Sequence, residues 1–146
     1  MKPPPPLRLI AASEEDLLVI AAAVQDGLCA RSDIKYLPTS KSVVIEMKRF
    51  QWEFAGWFGP FFRRQSALMI ASVKSVRAKG FDQIQPDTVL NILSISFKPG
   101  SDPDGLISLH FAGGYEMEIN AECLDVTLMD TEVAWPTRRK PKHKPR

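Results

Sequence analysis

Apolar and polar residues alternate along most of the chain, but one segment near the start follows a helical period instead. Ser13 precedes three acidic residues, and a hydroxyl N-cap followed by acids in the first turn stabilises a helix start. An apolar stripe then recurs at spacings of three and four residues, through Leu17, Ile20, Val24 and Leu28. We predict one amphipathic helix over residues 14–27, which ends near Gly27 because glycine suits the left-handed cap conformation.

Period-two alternation predicts strands on both sides of this helix. Residues 7–10 form a short first strand. Residues 34–37 and 42–50 flank turn-forming residues at 38–41, which predicts a hairpin. Apolar residues at every second position of 93–97, beginning with Leu93, predict another half-buried strand whose apolar side chains face inward.

Residues 67–79 also have β character, but their apolar positions change phase. Leu68 and Ile70 lie one residue out of step with Val73. A β-bulge adds one residue to one strand of a pair and so produces a shift of this kind. We therefore predict a bulge near residues 71–72, within one continuous strand.

The last hairpin has the strongest pattern, because apolar residues alternate with polar ones on both sides of Ala112-Gly113-Gly114. A three-residue loop, with its last glycine in the left-handed conformation, pairs Phe111 with Tyr115 and places both apolar sets on one face. A two-residue loop would send one set to the opposite face. The register therefore predicts the three-residue loop.

Together these elements predict an α+β fold in a single domain. We expect six to eight mainly antiparallel strands in a curved sheet or partial barrel, with the helix covering one face. Residues 1–6 form a proline-rich lead-in, and the domain spans residues 7–135. Residues 136–146 alternate prolines with cations and offer no apolar anchor, which predicts a disordered basic tail.

Composition is that of an ordinary globular protein, with 45% apolar and 25% charged residues in a chain of 146. The longest apolar run, residues 17–24, is too short to span a bilayer, and the start has no signal-peptide pattern. Cys29 and Cys123 match no zinc or redox spacing, which predicts free thiols in a reducing compartment. We expect a cytoplasmic protein.

Charge divides the chain into two parts. The net charge is +2, yet six of the cations lie in residues 136–146 and leave 13 basic against 17 acidic residues before them. The domain is therefore mildly acidic, and its overall field does not attract nucleic acid. We favour a solubilising tail. The alternative is that the tail attaches to RNA or anionic lipid, with Arg138, Arg139 and Lys140 as candidate contacts.

The polar residues form no recognisable active site. The predicted hairpin places His110 opposite Glu116 on the solvent face, where an exposed cross-strand pair explains it better than acid–base catalysis. Glu116 begins a polar row that lacks the loop spacing of a calcium site and continues through Glu118, Asn120 and Glu122. We therefore expect no catalytic residue, no metal and no cofactor.

The most informative segment concentrates aromatic residues between basic pairs. Six aromatic residues occur within eleven positions, interrupted by glycines and Pro60. We predict an exposed loop that binds a protein partner or a second copy, since Trp and Arg dominate interface hot spots. Its candidate contacts are Trp57, Phe58, Phe61, Phe62, Arg63 and Arg64. The alternative is that half of the aromatic residues, with Trp52 and Phe54 as the strand's continuation, fill the core.

Four segments carry a family resemblance: LRLIA at 7–11, RFQWE at 49–53, LNILSISF at 90–97 and FAGG at 111–114. Together they resemble an alphaproteobacterial family of unknown function, whose genes often neighbour those for histidinol dehydrogenase and a peptidoglycan-precursor enzyme. The resemblance covers most of residues 7–135. It implies membership but transfers no catalytic or binding residue.

The leading hypothesis for function is a small, non-catalytic cytoplasmic interaction or accessory module that uses the aromatic segment, with no known small-molecule ligand. One rival is an RNA-binding accessory protein that uses the tail and the aromatic segment. Another is a small enzyme whose site uses His110, Glu116 or the acidic row. A deep pocket that holds titratable groups with shifted pKa values would favour the enzyme.

Overall fold

The computed structural model describes residues 5–52, 61–131, 135–137 and 140–141, and most of these residues lie in β-strands. The α-helix, α1, spans Glu14–Val24. The strands are β1 (Arg8–Ala11), β2 (Leu28–Ala30), β3 (Ile34–Leu37), β4 (Ser42–Phe50), β5 (Phe61–Ile70), β6 (Val73–Lys79), β7 (Val89–Pro99), β8 (Gly105–Phe111), β9 (Tyr115–Ala121), β10 (Val126–Asp130) and β11 (Trp135–Thr137).

The strands described form one antiparallel sheet in the order β1-β10-β5-β4-β2-β7-β8-β9-β6, with β3 also on β4 and β11 also on β5. The prediction of six to eight strands was therefore too low, since the described residues alone form eleven. Three-residue strands such as β2 and β11 are too short to show a period. The sheet is open rather than a partial barrel, because β1 and β6 end the path within the described residues. β11 pairs with the beginning of β5.

One hydrophobic cluster joins both ends of this sheet. Ile70 and Val126 of the first strands in the order belong to the same cluster as Ile107 and Ile119 of the last ones. Helix α1 packs against β1, β4 and β7 and adds Ile20 to the cluster. The prediction of a mostly antiparallel sheet with one helix over a shared core is confirmed.

Helix α1 begins as predicted but ends earlier. The hydroxyl of Ser13 accepts a hydrogen bond from the Asp16 amide at 3.2 Å, which satisfies one of the open donors of the first turn. The helix ends at Val24, and Asp26 rather than Gly27 takes the left-handed conformation, with φ of 63°. The Asp26 amide donates to the carbonyl of Ile92 at 2.7 Å and turns the chain onto β7. Among the described residues, no helix has the length and apolar character needed to cross a bilayer.

Both predicted hairpins are confirmed. β3 and β4 pair in register from Ile34 opposite Ile45 onward. In the last hairpin Phe111 lies opposite Tyr115, and Gly114 has the left-handed φ of 83° that the three-residue loop requires. A slip of one residue would move one apolar set out of the core, and this disfavours the neighbouring registers.

The phase change near residues 71–72 is a corner, and a register shift in the β6–β9 pairing follows it between Val73 and Ser75. β5 ends at Ile70, Ser72 adopts a left-handed φ of 58°, and β6 begins at Val73 with β9 as its partner instead of β4 and β10. A corner shifts the apolar phase as a bulge does, but it moves the chain to another part of the sheet. The periodicity alone does not separate the two cases.

The strand predicted from Leu93 contains an unpredicted bulge. The pairing of β7 with β8 shifts between Ile92 and Ser94. Ile92 and Ile95 are both buried as a result, and Leu93 between them is exposed. The prediction that Leu93 faces the core is therefore wrong, because the bulge turns one apolar side chain to the solvent.

Gly105 lies where β7 and β8 pack too closely for a larger side chain. A Cβ atom at this position would overlap the ring of Phe97 and lie 2.9 Å from the carbonyl oxygen of Lys98. Gly105→Ala should lower the free energy of unfolding by about 2 kcal/mol in urea denaturation. Gly100→Ala is the matched control, since its nearest neighbour would be the Asp104 oxygen at 3.5 Å. Equal losses for the two variants would contradict this packing.

Candidate functional site

Charged and aromatic side chains gather where β4 ends and β5 begins. Arg49 lies opposite Arg64, and Phe50 lies opposite Arg63. Because successive side chains of a strand point to opposite faces, the first pair faces the core and the second pair faces the outer side of the sheet. The two faces of the same strand ends therefore carry different chemistry.

The inward pair belongs to a buried group of residues that we call the ionic cluster: Arg49, Arg64, Ser66 and Asp130. The Arg49 guanidinium holds the Asp130 carboxylate with two hydrogen bonds, Nε to Oδ1 at 3.2 Å and Nη2 to Oδ2 at 3.0 Å. The Ser66 hydroxyl donates to Oδ1 at 2.6 Å, and Arg64 Nη1 lies 3.6 Å from Oδ2. All four residues are buried, so solvent screens these charges only weakly.

Asp130 also forms hydrogen bonds with Leu7, at the start of the edge strand β1. Its Oδ2 accepts a hydrogen bond from the Leu7 amide at 2.7 Å, and its own amide donates to the Leu7 carbonyl at 2.9 Å. Burial would raise the pKa of the Asp130 carboxyl, but hydrogen bonds from Arg49, Ser66 and the Leu7 amide outweigh burial and lower it. At neutral pH this group is a fixed carboxylate that joins the start of β1 to β4, β5 and β10.

Gln51 adds a polar group beside the ionic cluster. Its backbone amide donates to the Phe62 carbonyl at 2.9 Å, which continues the β4–β5 ladder by one residue. Its side chain is buried, and the two polar atoms of the amide have no hydrogen-bond partner within the described ranges. The inner side of this strand end is therefore more polar than the rest of the core.

The outward side forms what we call the aromatic–cation surface: Phe50, Trp52, Phe61, Arg63 and Lys140. The ring of Phe50 meets Trp52 edge-on at 4.6 Å between centroids and Phe61 at 6.1 Å. Arg63 lies 5.6 Å above the Phe50 ring, and the Lys140 ammonium lies 6.0 Å from the Trp52 ring. These are cation–π distances. Phe50 is buried beneath the other four residues, which are partly exposed.

Two members of the aromatic–cation surface also close the end of α1. Trp52 Nε1 donates to the Gln25 carbonyl at 2.8 Å, and Arg63 Nη1 donates to the Asp26 carbonyl at 3.3 Å. Carbonyls after the last helical turn need such donors. Burial lowers the pKa of the Arg63 guanidinium, and the nearby Asp26 carboxylate counteracts this. An arginine nonetheless stays charged, so a fixed cation lies beside the rings.

The predicted contact residues fall into three groups. Phe61 and Arg63 lie on the aromatic–cation surface. Phe62 and Arg64 are buried, so the expectation that they protrude needs correction: β5 already includes them, and alternation turns them inward. The other four residues lie outside the described residues, namely Trp57, Phe58, Arg138 and Arg139. Lys140 of the predicted tail lies over Trp52.

The carboxylates of the polar row in the last hairpin lie beside basic side chains. His110 Nε2 lies 3.9 Å from a Glu116 carboxylate oxygen, as the predicted register requires. Glu122 accepts a hydrogen bond from Lys41 at 3.1 Å. Glu118 lies 3.9 Å from Arg77 across the β6–β9 pair. These side chains are exposed or half-buried, as in ordinary cross-strand pairs.

Sequence reasoning missed the ionic cluster, although part of it left a signal. Arg49 follows Val43, Ile45 and Met47 in the same phase of β4, so alternation assigns it to the core face. A buried arginine demands a carboxylate partner. That partner lies 81 positions away, and no local pattern identifies it.

Comparison with known proteins gives one match. The family model described as Protein of unknown function (DUF2948) matches residues 7–143 of the chain. No curated protein and no solved structure matches it.

Removing the charge of Asp130 tests the ionic cluster. Asp130→Asn leaves the buried guanidinium of Arg49 without its carboxylate partner. The free energy of unfolding should therefore fall by about 3 kcal/mol. Asp104→Asn is the control, because the Asp104–Lys74 pair at 2.7 Å is exposed and such pairs contribute little. Urea denaturation at neutral pH measures both. A loss for Asp130→Asn no larger than that of the control would contradict the role of the cluster.

The cluster also predicts how stability depends on pH. Because the pKa of Asp130 is lowered in the folded protein, its contribution is complete above the unfolded value of about 4 and is lost as pH falls through the lower folded value. The stability gap between the wild-type chain and Asp130→Asn should therefore be constant near neutrality and narrow below about pH 4. A gap that stays constant through strongly acidic pH would refute this assignment.

Proposed function

We propose that this chain, which belongs to the DUF2948 family of proteins of unknown function, is a non-catalytic interaction module. In this proposal the aromatic–cation surface binds a protein partner. One observation carries the proposal: two partly exposed rings and two cations share one surface patch around the buried ring of Phe50. Tryptophan and arginine are the residues that most often dominate the binding energy of protein interfaces.

The ionic cluster holds in place the strand that carries the aromatic–cation surface. Arg49 and Phe50 are neighbours on β4, so the bonds that hold Arg49 to Asp130 also fix the backbone beneath the rings. Trp52 and Arg63 are fixed in turn by carbonyls at the end of α1. A surface ordered before binding loses less conformational entropy on association.

The chemistry of the surface suggests the partner. The rings offer apolar area, and Arg63 and Lys140 offer two cations beside it. A protein segment that combines apolar and acidic side chains would complement both features. In this proposal Trp57 and Phe58, which follow closely in the chain, extend the apolar contact.

RNA is the alternative partner, since bases stack on aromatic side chains while cations contact phosphates. Charge favours a protein. The chain has 17 acidic residues, and all of them lie before residue 136. The same part of the chain has only 13 basic residues, since the other six lie in residues 136–146. The overall field of the domain therefore opposes a polyanion.

The titratable groups fit binding better than catalysis. Burial, with a smaller contribution from Asp33, raises the pKa of the Cys29 thiol to about 12, so this thiol stays protonated and is a poor nucleophile at neutral pH. Asp130 stays ionised for the reasons given above. Cys29 and Cys123 are free thiols, which fits the cytoplasm. Residence in the cytoplasm of an alphaproteobacterial host is part of the proposal.

The test is an affinity purification from the native host with the full chain as bait. A Phe61→Ser, Arg63→Ser double variant should reduce capture of the specific partner about tenfold, because it removes one ring and one cation from the surface. Tyr36→Ser is the matched control, since Tyr36 is an exposed aromatic residue on β3. Thermal melts verify that each variant is folded. Undiminished capture by the double variant would reject the proposal.

Salt separates the two kinds of partner. A partner held through apolar contacts stays bound at high salt, whereas nucleic acid dissociates because phosphate contacts release counterions. Nuclease treatment before elution provides an independent check. Capture that disappears at high salt and after nuclease would replace the protein partner with RNA.

A further inference from the structure

Helix α1 presents apolar residues to the solvent. After the acidic first turn, residues 17–24 contain no polar side chain. Leu17, Ile20 and Val24 fill the core, but Leu18 is 71% exposed and Val19 is 56% exposed. Ala22 is exposed on the same side. A helix that is apolar all round is usually buried all round, so the outer face of α1 has the composition of a contact surface.

Grooves lie on both sides of this exposed ridge. One, of about 330 Å³, is apolar and lies between α1 and β1, with Val19, Ala22, Leu9 and Trp52 among its walls. The other, of about 240 Å³, lies between α1 and β7 near Leu18 and Phe97. A ridge flanked by grooves is the shape that a second helix packs against.

The two ends of α1 carry opposite charge. Glu14, Glu15 and Asp16 form the exposed first turn. At the other end, Arg63 donates to the Asp26 carbonyl, and Lys140 lies over Trp52, which donates to the Gln25 carbonyl. One end therefore carries three exposed carboxylates, the middle is apolar, and the other end carries two cations with the buried carboxylate of Asp26 between the helix and Arg63. A copy of the same surface complements it when the two helices run antiparallel.

We propose that the chain forms a symmetric dimer through the outer face of α1, with the two helices antiparallel. The centre of the contact lies at the level of Ile20, midway between Leu18 and Ala22. Leu18 of one copy then packs against Ala22 of the second copy, whose small side chain lets the helices approach closely. The contact is isologous, as a two-fold axis requires.

The same register aligns the charges. With the axis at the level of Ile20, Glu15 of one copy lies at the level of Gln25 of the second copy. That is the end of the helix where Lys140 and Arg63 lie. Two acidic ends therefore meet two basic ends across the dimer, and a parallel arrangement would instead bring like charges together. The two cations also belong to the aromatic–cation surface, so the dimer competes for them with the partner proposed above.

The first test measures the mass of the full chain by sedimentation equilibrium over a wide range of concentration. The average mass should rise from 16.3 kDa toward twice that value. A Leu18→Gln, Val19→Gln double variant should weaken the dimer about tenfold or more. Met69→Gln on β5 is the control, because Met69 is a large apolar residue that is 46% exposed away from α1. Since the replaced side chains are exposed, melting of the dilute monomer should change little.

Two results would overturn the proposal: a mass that stays at that of the monomer at every concentration, or a dimer that the α1 double variant leaves as tight as before. The second result would place the dimer contact elsewhere on the surface.

A charge exchange tests the antiparallel arrangement. Glu15→Lys alone and Lys140→Glu alone should each weaken the dimer, because each places like charges across the contact. The double variant with both changes should restore most of the lost affinity, as a direct pair does in a double-mutant cycle. Additive weakening in the double variant, at any salt concentration, would exclude the antiparallel register.

Discussion

The structure where β4 ends and β5 begins depends on the hydrogen bonds that the Asp130 carboxylate accepts. This carboxylate is buried, and it accepts hydrogen bonds from Arg49, Ser66 and the Leu7 amide. A buried charge is tolerated only when its partners replace the water it has lost. The carboxylate therefore demands one geometry of β1, β4, β5 and β10. The same strands carry the rings of the aromatic–cation surface, so their geometry also sets the positions of those rings.

Local elements of the fold were predictable because their causes are local. Ser13 caps α1, and Gly114 turns the last hairpin, as the neighbouring residues indicate. The corner at Ser72 and the bulge beside Leu93 were not predictable, because each depends on which strand lies alongside. β2 and β11 are too short for a period to appear, and pairing with longer strands defines them. The differences between the predicted and observed elements thus arise from pairing between strands, which the local sequence does not show.

The candidate site was predictable to a similar extent. Composition located the aromatic residues, and Phe61 and Arg63 lie on the aromatic–cation surface. It gave no information on which residues of β5 face inward, so Phe62 and Arg64 were misplaced. The helical period assigns Leu17, Ile20 and Val24 to the core face, which the structure confirms, but hydrophobicity does not show whether the other apolar residues of the run 17–24 form a contact face. Only the exposure of Leu18 and Val19 makes that distinction.

The distance along the chain between Arg49 and Asp130 has a consequence for synthesis on the ribosome. β4 and β5 form a local hairpin that brings Arg49 opposite Arg64, and both arginines are translated well before Asp130. Until β10 emerges, the hairpin holds two like charges on its apolar face without the carboxylate that binds them in the finished domain. Synthesis of β10 supplies the carboxylate that both arginines face in the folded domain. The nascent domain thus completes this part of its core only after β10 has been made.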